Sequence, residues 1–233
     1  MSNSINDNFV KNKFISLSNV TKNFGPKKRK FTALKDISFS IDKNEFVFIT
    51  GRSGSGKSTL LNMISGIDKP TTGNIVISGI DISTLSENEL TKWRGRNIGV
   101  VFQFFQLIPS LTILENILLP MDFCNIIPKK NRLKRANQLL EKVGIPEQAK
   151  KLPHTLSGGQ QQRAAIARAL ANDPAIIIAD EPTGNLDSES ASSIFDLFKE
   201  LVGSDKTIIV VTHEQDIASI GSSHIIINDG KIV

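Results

Sequence analysis

The 233-residue sequence has one cysteine, one tryptophan and no tyrosine. A single cysteine, Cys124, excludes an intrachain disulfide, so the framework is not that of a small secreted domain. No His or Asp stands near it in sequence, which favours a buried, neutral thiol over a nucleophile. Long apolar runs are missing as well. Stretches such as "AIIIA" fall far short of the ~20 residues a bilayer span needs. The start, "MSNSINDNFVKNKF", lacks the apolar h-region of a signal peptide. Neither charge sign dominates: 28 Lys and Arg against 23 Asp and Glu give a net +5. That excess is too mild to specify nucleic acid or a membrane. The densest basic run, "KKRK" (Lys27 to Lys30), follows Gly25-Pro26 and reads as a solvated hairpin loop, with a membrane-facing patch as the alternative. No repeat of 20–50 residues and no low-complexity tract is visible. These absences predict a cytoplasmic chain that does not itself cross a membrane.

What is present is an α/β rhythm. Apolar content of 39% supplies a core, and short β-rich runs recur as "FISLSNV", "FVFIT", "NIVISG", "IGVVFQ", "AIIIAD", "TIIVVTH" and "HIIIND". Several are apolar throughout, the pattern of strands buried on both faces of a mostly parallel sheet. Helical patterns separate them, as in "GKSTLLNMISG" and "SESASSIFDLFKELVG". The first ~45 residues read as an antiparallel hairpin layered on that core. From Phe104 to Asn172 the alternation gives way to helix, punctuated by Pro109, Pro120, Pro128, Pro146 and Pro153. The expected organisation is one domain over 1–233. Residues 1–103 and 173–233 form an α/β nucleotide-binding core with an N-terminal antiparallel β subdomain, and 104–172 form an inserted helical subdomain.

Two glycine-rich helix starts stand out. "FVFIT-GRSGSGKST-LLNMISG" is strand, glycine loop and helix in the order a P-loop requires. Gly51, Gly54 and Gly56 let the N–H groups of Arg52, Ser53 and Ser55 and their neighbours converge on phosphate oxygens. Lys57 supplies a flexible charge for the β- and γ-phosphates, Ser58 a hydroxyl for Mg²⁺, and Thr59 a contact to the α-phosphate. The bare pattern arises by chance in roughly 1% of chains this long, and the flanking strand and helix lower that further. In "AIIIADEPTGNLD" an apolar strand ends in Asp180, at the sheet edge where α/β ligands bind. Asp180 is the expected Mg²⁺ carboxylate and Glu181 the general base for an attacking water. The second glycine start, "LSGGQQQRAAIARAL" (Leu156 to Leu170), opens a helix with Ser157, Gly158 and Gly159. Its two glycines are expected to point outward.

A P-loop with an acidic strand end admits kinases, GTPases, helicases and transport ATPases, and no Asn-Lys-x-Asp guanine motif is present. "LSGGQ", followed by "QQRAAIARAL" and "IIIADEPT", resembles the signature of ABC-type ATPases, and the likeness extends over nearly the whole chain. The resemblance implies a P-loop fold binding ATP with Mg²⁺. It assigns Gln103, ending "IGVVFQ", to the Q-loop that senses Mg²⁺ and the attacking water. His213, ending "TIIVVTH", becomes the switch histidine at the γ-phosphate. "GNLD", ending at Asp187, becomes the D-loop, which meets its counterpart across a dimer beside the nucleotide. Phe24 in "VTKNFG" is matched to the aromatic that stacks on adenine, with Phe31 as its rival. The resemblance also implies an ATP-dependent head-to-tail homodimer, in which ATP on one P-loop is capped by Ser157, Gly158, Gly159 and Gln160 of the other subunit.

"VVFQFFQLIPSLTILENILLPM" and "LPHTLSGGQQQRAAIARALANDP" are similar to the branch with the macrolide exporter MacB, the lipoprotein-release ATPase and the cell-division ATPase FtsE. Membership implies an ATPase, peripheral on the inner face of the cell membrane, that powers a separate transmembrane permease-type subunit in export or extraction. Antimicrobial peptides, macrolides and lipoproteins are the substrates it suggests. The alternative is an ATP-gated signalling or mechanotransmission module that moves no substrate. The apolar cluster Phe104, Phe105, Leu107, Ile108 and Pro109 is either core or a groove for a partner's helix. The chain ends at "INDGKIV" with no second ATPase copy. Neither coiled-coil nor zinc inserts are present, and the basic, aromatic-interleaved pattern of a nucleic-acid binder is missing.

Overall fold

The computed structural model describes residues 13–26, 29–213 and 220–233. Most of the N-terminal segment and half of the "KKRK" run (Lys27 and Lys28) lie outside them. The chain divides into two compact units, Met1–Thr91 with Val211–Val233, and Lys92–Val210.

In the first unit, β1 (Ile15–Phe24) pairs antiparallel with β2 (Phe31–Ile41) and with β4 (Thr72–Ile77), which pairs antiparallel with β5 (Ile80–Asp81). This is the antiparallel β layer expected at the N-terminus, and its two long strands mix buried and exposed residues. By contrast β3 (Phe46–Thr50) is buried at every residue. It runs parallel to β9 (Ser223–Asn228), with Val47 opposite Ser223 and Thr50 opposite Ile226. The short β10 (Lys231–Ile232) turns back antiparallel on β9. Helix α1 (Lys57–Ile64) follows β3 after the glycine loop and buries Leu60, Leu61, Met63 and Ile64.

The second unit holds β6 (Ile98–Val101) parallel to β7 (Ile176–Asp180), with Ile98 opposite Ile176 and Val101 opposite Ala179. Four consecutive buried residues in β7, Ile176 to Ala179, give no alternation. Burying each isoleucine contributes roughly 1.5–3 kcal/mol. Helix α2 (Glu87–Asn97) and strand β8 (Thr207–Thr212) carry the chain between the units. The remaining helices are α3 (Ile113–Cys124), α4 (Lys129–Lys142), α5 (Gly158–Ala169) and α6 (Ser188–Val202).

The prolines act unequally. Pro128 caps α4, while Pro146 and Pro153 start 3₁₀ turns, as breakers do. Pro120 instead lies inside α3. Its ring costs the helix one N–H, and its own carbonyl is taken by the Asn172 side-chain amide at 3.1 Å. Cys124, half-buried at the end of α3, donates its thiol to the Gly95 carbonyl. Asn116, fully buried, accepts from the Ile108 N–H at 2.7 Å and donates to the carbonyls of Leu111 and Thr112. It ties the segment after Gln103 to the start of α3. Asn116→Leu strands several of these buried groups, at about 1–3 kcal/mol each. Urea denaturation should show a loss of about 3 kcal/mol, and a loss below ~1 kcal/mol would show that the loop is held by other means.

Candidate active site

The glycine loop grows out of a buried strand with no slack. A Cβ on Gly51 would lie 2.1 Å from the Ile227 carbonyl oxygen and 2.8 Å from Ser55 Oγ, so only glycine permits this approach of β9 to the loop. The Gly230 N–H donates to the Ser55 carbonyl at 2.9 Å, and Gly230 in turn accepts from the Lys35 N–H. The β9–β10 turn therefore braces the loop from behind. In front, Arg52, Ser53, Gly54 and Ser58 are exposed and Thr59 half-buried. Lys57 is only 8% exposed. Its ammonium donates to the carbonyls of Gly51 at 2.7 Å and Arg52 at 3.0 Å, which places a cation in the loop's mouth. Ser55 Oγ is buried with no hydrogen-bond partner. A cradle filled by any Cβ, a cation across it and an orphaned hydroxyl fit an anionic, multi-oxygen ligand such as a triphosphate.

Phe24 and Phe31 face one another as register partners across the β1–β2 hairpin, 42% and 64% exposed. The Lys22 ammonium lies 5.0 Å from the Phe24 ring centroid, within cation–π range. Lys22 also pairs with Asp68 at 2.6 Å. His213 stands exposed just past β8, also in the first unit, and residues 214–219 after it lie outside the described residues.

The second unit brings four expected elements together. Asp180 closes β7, and Glu181 follows with a left-handed backbone, φ 48°. Both are half-buried. Gln103 lies two residues beyond β6, and its carbonyl accepts from the Asn185 side chain at 3.1 Å. A Cβ on Gly184 would sit 3.0 Å from the Gln103 amide nitrogen, so the "GNLD" segment packs onto Gln103. Arg168 of α5 donates to the Phe105 and Gln106 carbonyls, at 2.8 and 2.5 Å. Those two residues also have positive φ, and Arg168 holds that bend.

Ser157 caps α5 with a reciprocal box. The Gln160 N–H donates to Ser157 Oγ, and the Ser157 N–H donates to Gln160 Oε1. Asp187 caps α6 by accepting from the Ser190 N–H and hydroxyl, both at 2.8 Å. Those bonds, the backbone one foremost, hold its carboxyl below the usual range. The signature glycines do not point outward as expected. A Cβ on Gly158 would lie 3.3 Å from Leu186, and one on Gly159 would lie 2.9 Å from Ser190 Oγ. They are small because the helix start packs onto the segment around Asp187. What faces solvent is Ser157, at the edge of a cleft of about 420 Å³ lined also by Gln160, Arg163 and Ser190.

Two residues in this unit escaped the motifs. Gln162 is fully buried and donates to the Pro182 carbonyl at 2.6 Å. Its sequence signal is a polar residue three and four positions before the buried Ala165 and Ile166, on the same helix face. Asn185, inside the "GNLD" segment, ties that segment to the Gln103 carbonyl through its side-chain amide. For a metal, the described residues contain no group of three or more His, Cys, Asp or Glu. The donor types available are a hydroxyl, an amide and one carboxylate, which suits Mg²⁺ completed by phosphate oxygens rather than a caged transition metal. Among the described residues no helix is long and apolar enough to cross a membrane.

Comparison with known proteins agrees with this chemistry. The family profile described as ABC transporter matches residues 34–184. An uncharacterized ABC transporter ATP-binding protein of Thermotoga maritima is 46% identical over 220 residues, 94% of each chain. The lipoprotein-releasing system ATP-binding protein LolD of Aquifex aeolicus is 45% identical over 205 residues, covering 88% of this chain and 91% of LolD. Among solved structures is the dimeric post-hydrolysis state of the ATP-binding cassette MJ0796 of Methanocaldococcus jannaschii, bound to ADP and Pi. It superposes with a TM-score of 0.85 at 46% identity, covering 94% of this chain and 96% of that one. The chain belongs to the ABC transporter ATP-binding cassettes, a family of P-loop α/β ATPases, and its relatives are consistent with the lipoprotein-release, MacB and FtsE branch.

Proposed function

We propose that the protein is the ATP-hydrolysing subunit of a membrane complex, and that ATP-driven closure of its homodimer powers a separate transmembrane permease-type partner in export or extraction. The observation that carries this reading is the exposed, Ser157-capped start of α5 beside Asp187. A helix N-terminus built to meet phosphate, in a chain that already has a P-loop, suits the nucleotide of a second copy. The relative MJ0796 is dimeric with ADP and Pi, and LolD is the ATP-binding protein of a lipoprotein-releasing system. Both support the assignment, and LolD favours extraction or export over signalling.

The residues then divide the work. Gly51 to Gly56 offer backbone N–H groups to the phosphates, and Lys57 neutralises the β- and γ-phosphates. Thr59 steadies the α-phosphate, and Phe24 stacks on the base. Ser58, Gln103 and Asp180 would hold Mg²⁺, which would neutralise phosphate charge there. Glu181 takes the proton of the attacking water, while His213 and Gln103 orient the γ-phosphate and that water. Ser157, Gly158, Gly159 and Gln160 of the second copy cap the γ-phosphate, and Asp187 keeps that start in place. Binding then drives closure, and hydrolysis with phosphate loss permits opening.

A mixing experiment tests the shared site. Ser157→Arg and Lys57→Ala subunits, each inactive alone, are combined in equal amounts and ATPase activity is measured. In the heterodimer both defects fall on one of the two composite sites, so activity returns through the intact one. Activity that stays at the level of the separate variants would overturn the head-to-tail site. Affinity purification of the full chain from detergent-solubilised membranes should bring down a multi-spanning subunit, and recovery of the cassette alone argues against a stable permease partner.

A further inference from the structure

We propose that Gln162 is a positioning residue for Glu181, holding the backbone that aims the carboxylate by gripping the carbonyl of Pro182. The inference rests on the reading of Glu181 as general base and adds a residue in α5 through which that base is held.

Glu181 adopts φ 48° directly before a proline. A left-handed backbone is uncommon for a residue with a side chain, and a following proline restricts the preceding residue to extended conformations. Such a conformation persists only where the surroundings over-determine it. Two backbone bonds contribute, from the Gly184 N–H to the Glu181 carbonyl at 3.3 Å and from the Leu186 N–H to the Thr183 carbonyl at 3.0 Å. The first is long and the second begins two residues later. Pro182 has no N–H to offer. Its carbonyl accepts from a side chain, Gln162 Nε2, at 2.6 Å and in full burial.

Gln162 Oε1 is buried with no partner, so the amide is engaged only through its Nε2 bond to the Pro182 carbonyl. Methionine would fill the volume on an otherwise apolar helix face. What methionine lacks is the N–H that fixes the Pro182 carbonyl. Gln162 also lies five residues after Ser157 on α5, the helix whose start is proposed to cap the partner's γ-phosphate. Helix, amide and carbonyl form one short connection from that cap to the base.

The test compares Gln162→Met with Glu181→Gln in the full chain, measuring kcat, KM for ATP, nucleotide affinity and thermal midpoint. For Gln162→Met the expected result is a kcat lower by about 10-fold or more, the scale of a small misplacement of a catalytic group. KM should stay within about 2-fold, while the thermal midpoint should fall only by the few degrees that one unpaired buried carbonyl costs. In the Glu181→Gln background Gln162→Met should lower the residual rate no further, because it acts through the missing base. A second variant, Gln162→Glu, keeps the shape and can donate only as a neutral acid. Its rate relative to wild type should climb as pH falls from 8.5 to 6. Unchanged kcat in Gln162→Met overturns the proposal, as does a parallel loss of affinity and thermal midpoint, or an additive effect on Glu181→Gln. Near-wild-type turnover in Glu181→Gln alone would instead remove the base assignment, so the two failures are separate.

Discussion

Glu181→Gln is expected to bind ATP with unchanged affinity and to hydrolyse it at least ~100-fold more slowly, the scale of losing a general base. The substitution is nearly isosteric. Glutamine keeps the length and planar end of glutamate, and it accepts the same left-handed backbone at φ 48° about as well. The Pro182 carbonyl held by Gln162 is untouched. The change therefore removes proton acceptance and leaves the positioning. Affinity should hold because the phosphate ligands proposed for this chain lie mainly elsewhere, in Gly51 to Thr59. With cleavage blocked, the closed form has no exit, so size-exclusion chromatography with MgATP should show a dimer that ADP does not sustain. Turnover near wild type would mean that another group takes the proton, and a monomer in MgATP would separate ATP binding from closure. A fall in kcat with KM unchanged marks an interaction made in the transition state only.

The parts of this site that were legible in the sequence are those whose chemistry is local. From Gly51 to Thr59, loop geometry, charge and helix start are encoded in nine consecutive residues, and β7 announces itself by four apolar residues ending in Asp180. Mostly parallel strands followed from the same kind of signal, since β3 and β7 are apolar without alternation. Less legible was anything that depends on a partner distant in the chain. The signature glycines read as a bare phosphate cradle because Leu186 and Ser190, which crowd them, come some thirty residues later. Gln162 meets Pro182 across 20 residues and Arg168 meets Phe105 across 63. Within "GGQQQR" three glutamines look alike, yet Gln160 closes a cap, Gln161 bonds the Leu156 carbonyl, and Gln162 is buried. Helical phase separates them, but only the fold shows what each phase faces. Pro120 misleads for a related reason, since Asn172, which compensates its carbonyl, is 52 positions away.

Lys57→Ala should produce the opposite defect, with nucleotide binding weakened before any question of chemistry. Lys57 is only 8% exposed, and its ammonium lies across the loop mouth on the carbonyls of Gly51 and Arg52. Those carbonyls hold it where a triphosphate's β- and γ-oxygens would approach, so the side chain is ordered before the ligand arrives. A charge-assisted hydrogen bond contributes about 1.5–3 kcal/mol, and each 1.4 kcal/mol is tenfold in affinity. Equilibrium titration with ATP should therefore show a loss of roughly 10- to 100-fold, with a smaller loss for ADP, which lacks the γ-phosphate. Binding is not abolished, because the backbone N–H groups of the loop remain. Lys57→Arg should fail to restore it: the guanidinium is wider, and its planar fork does not match a compact site sized for an ammonium. Unchanged ATP affinity in Lys57→Ala would mean that this loop does not hold the phosphates. In the combined Lys57→Ala and Glu181→Gln chain, the MgATP-dependent dimer of the single Glu181→Gln variant should disappear at ATP concentrations that saturate the latter. Closure then requires the occupied P-loop, and an uncleaved nucleotide acts only once Lys57 has helped to bind it.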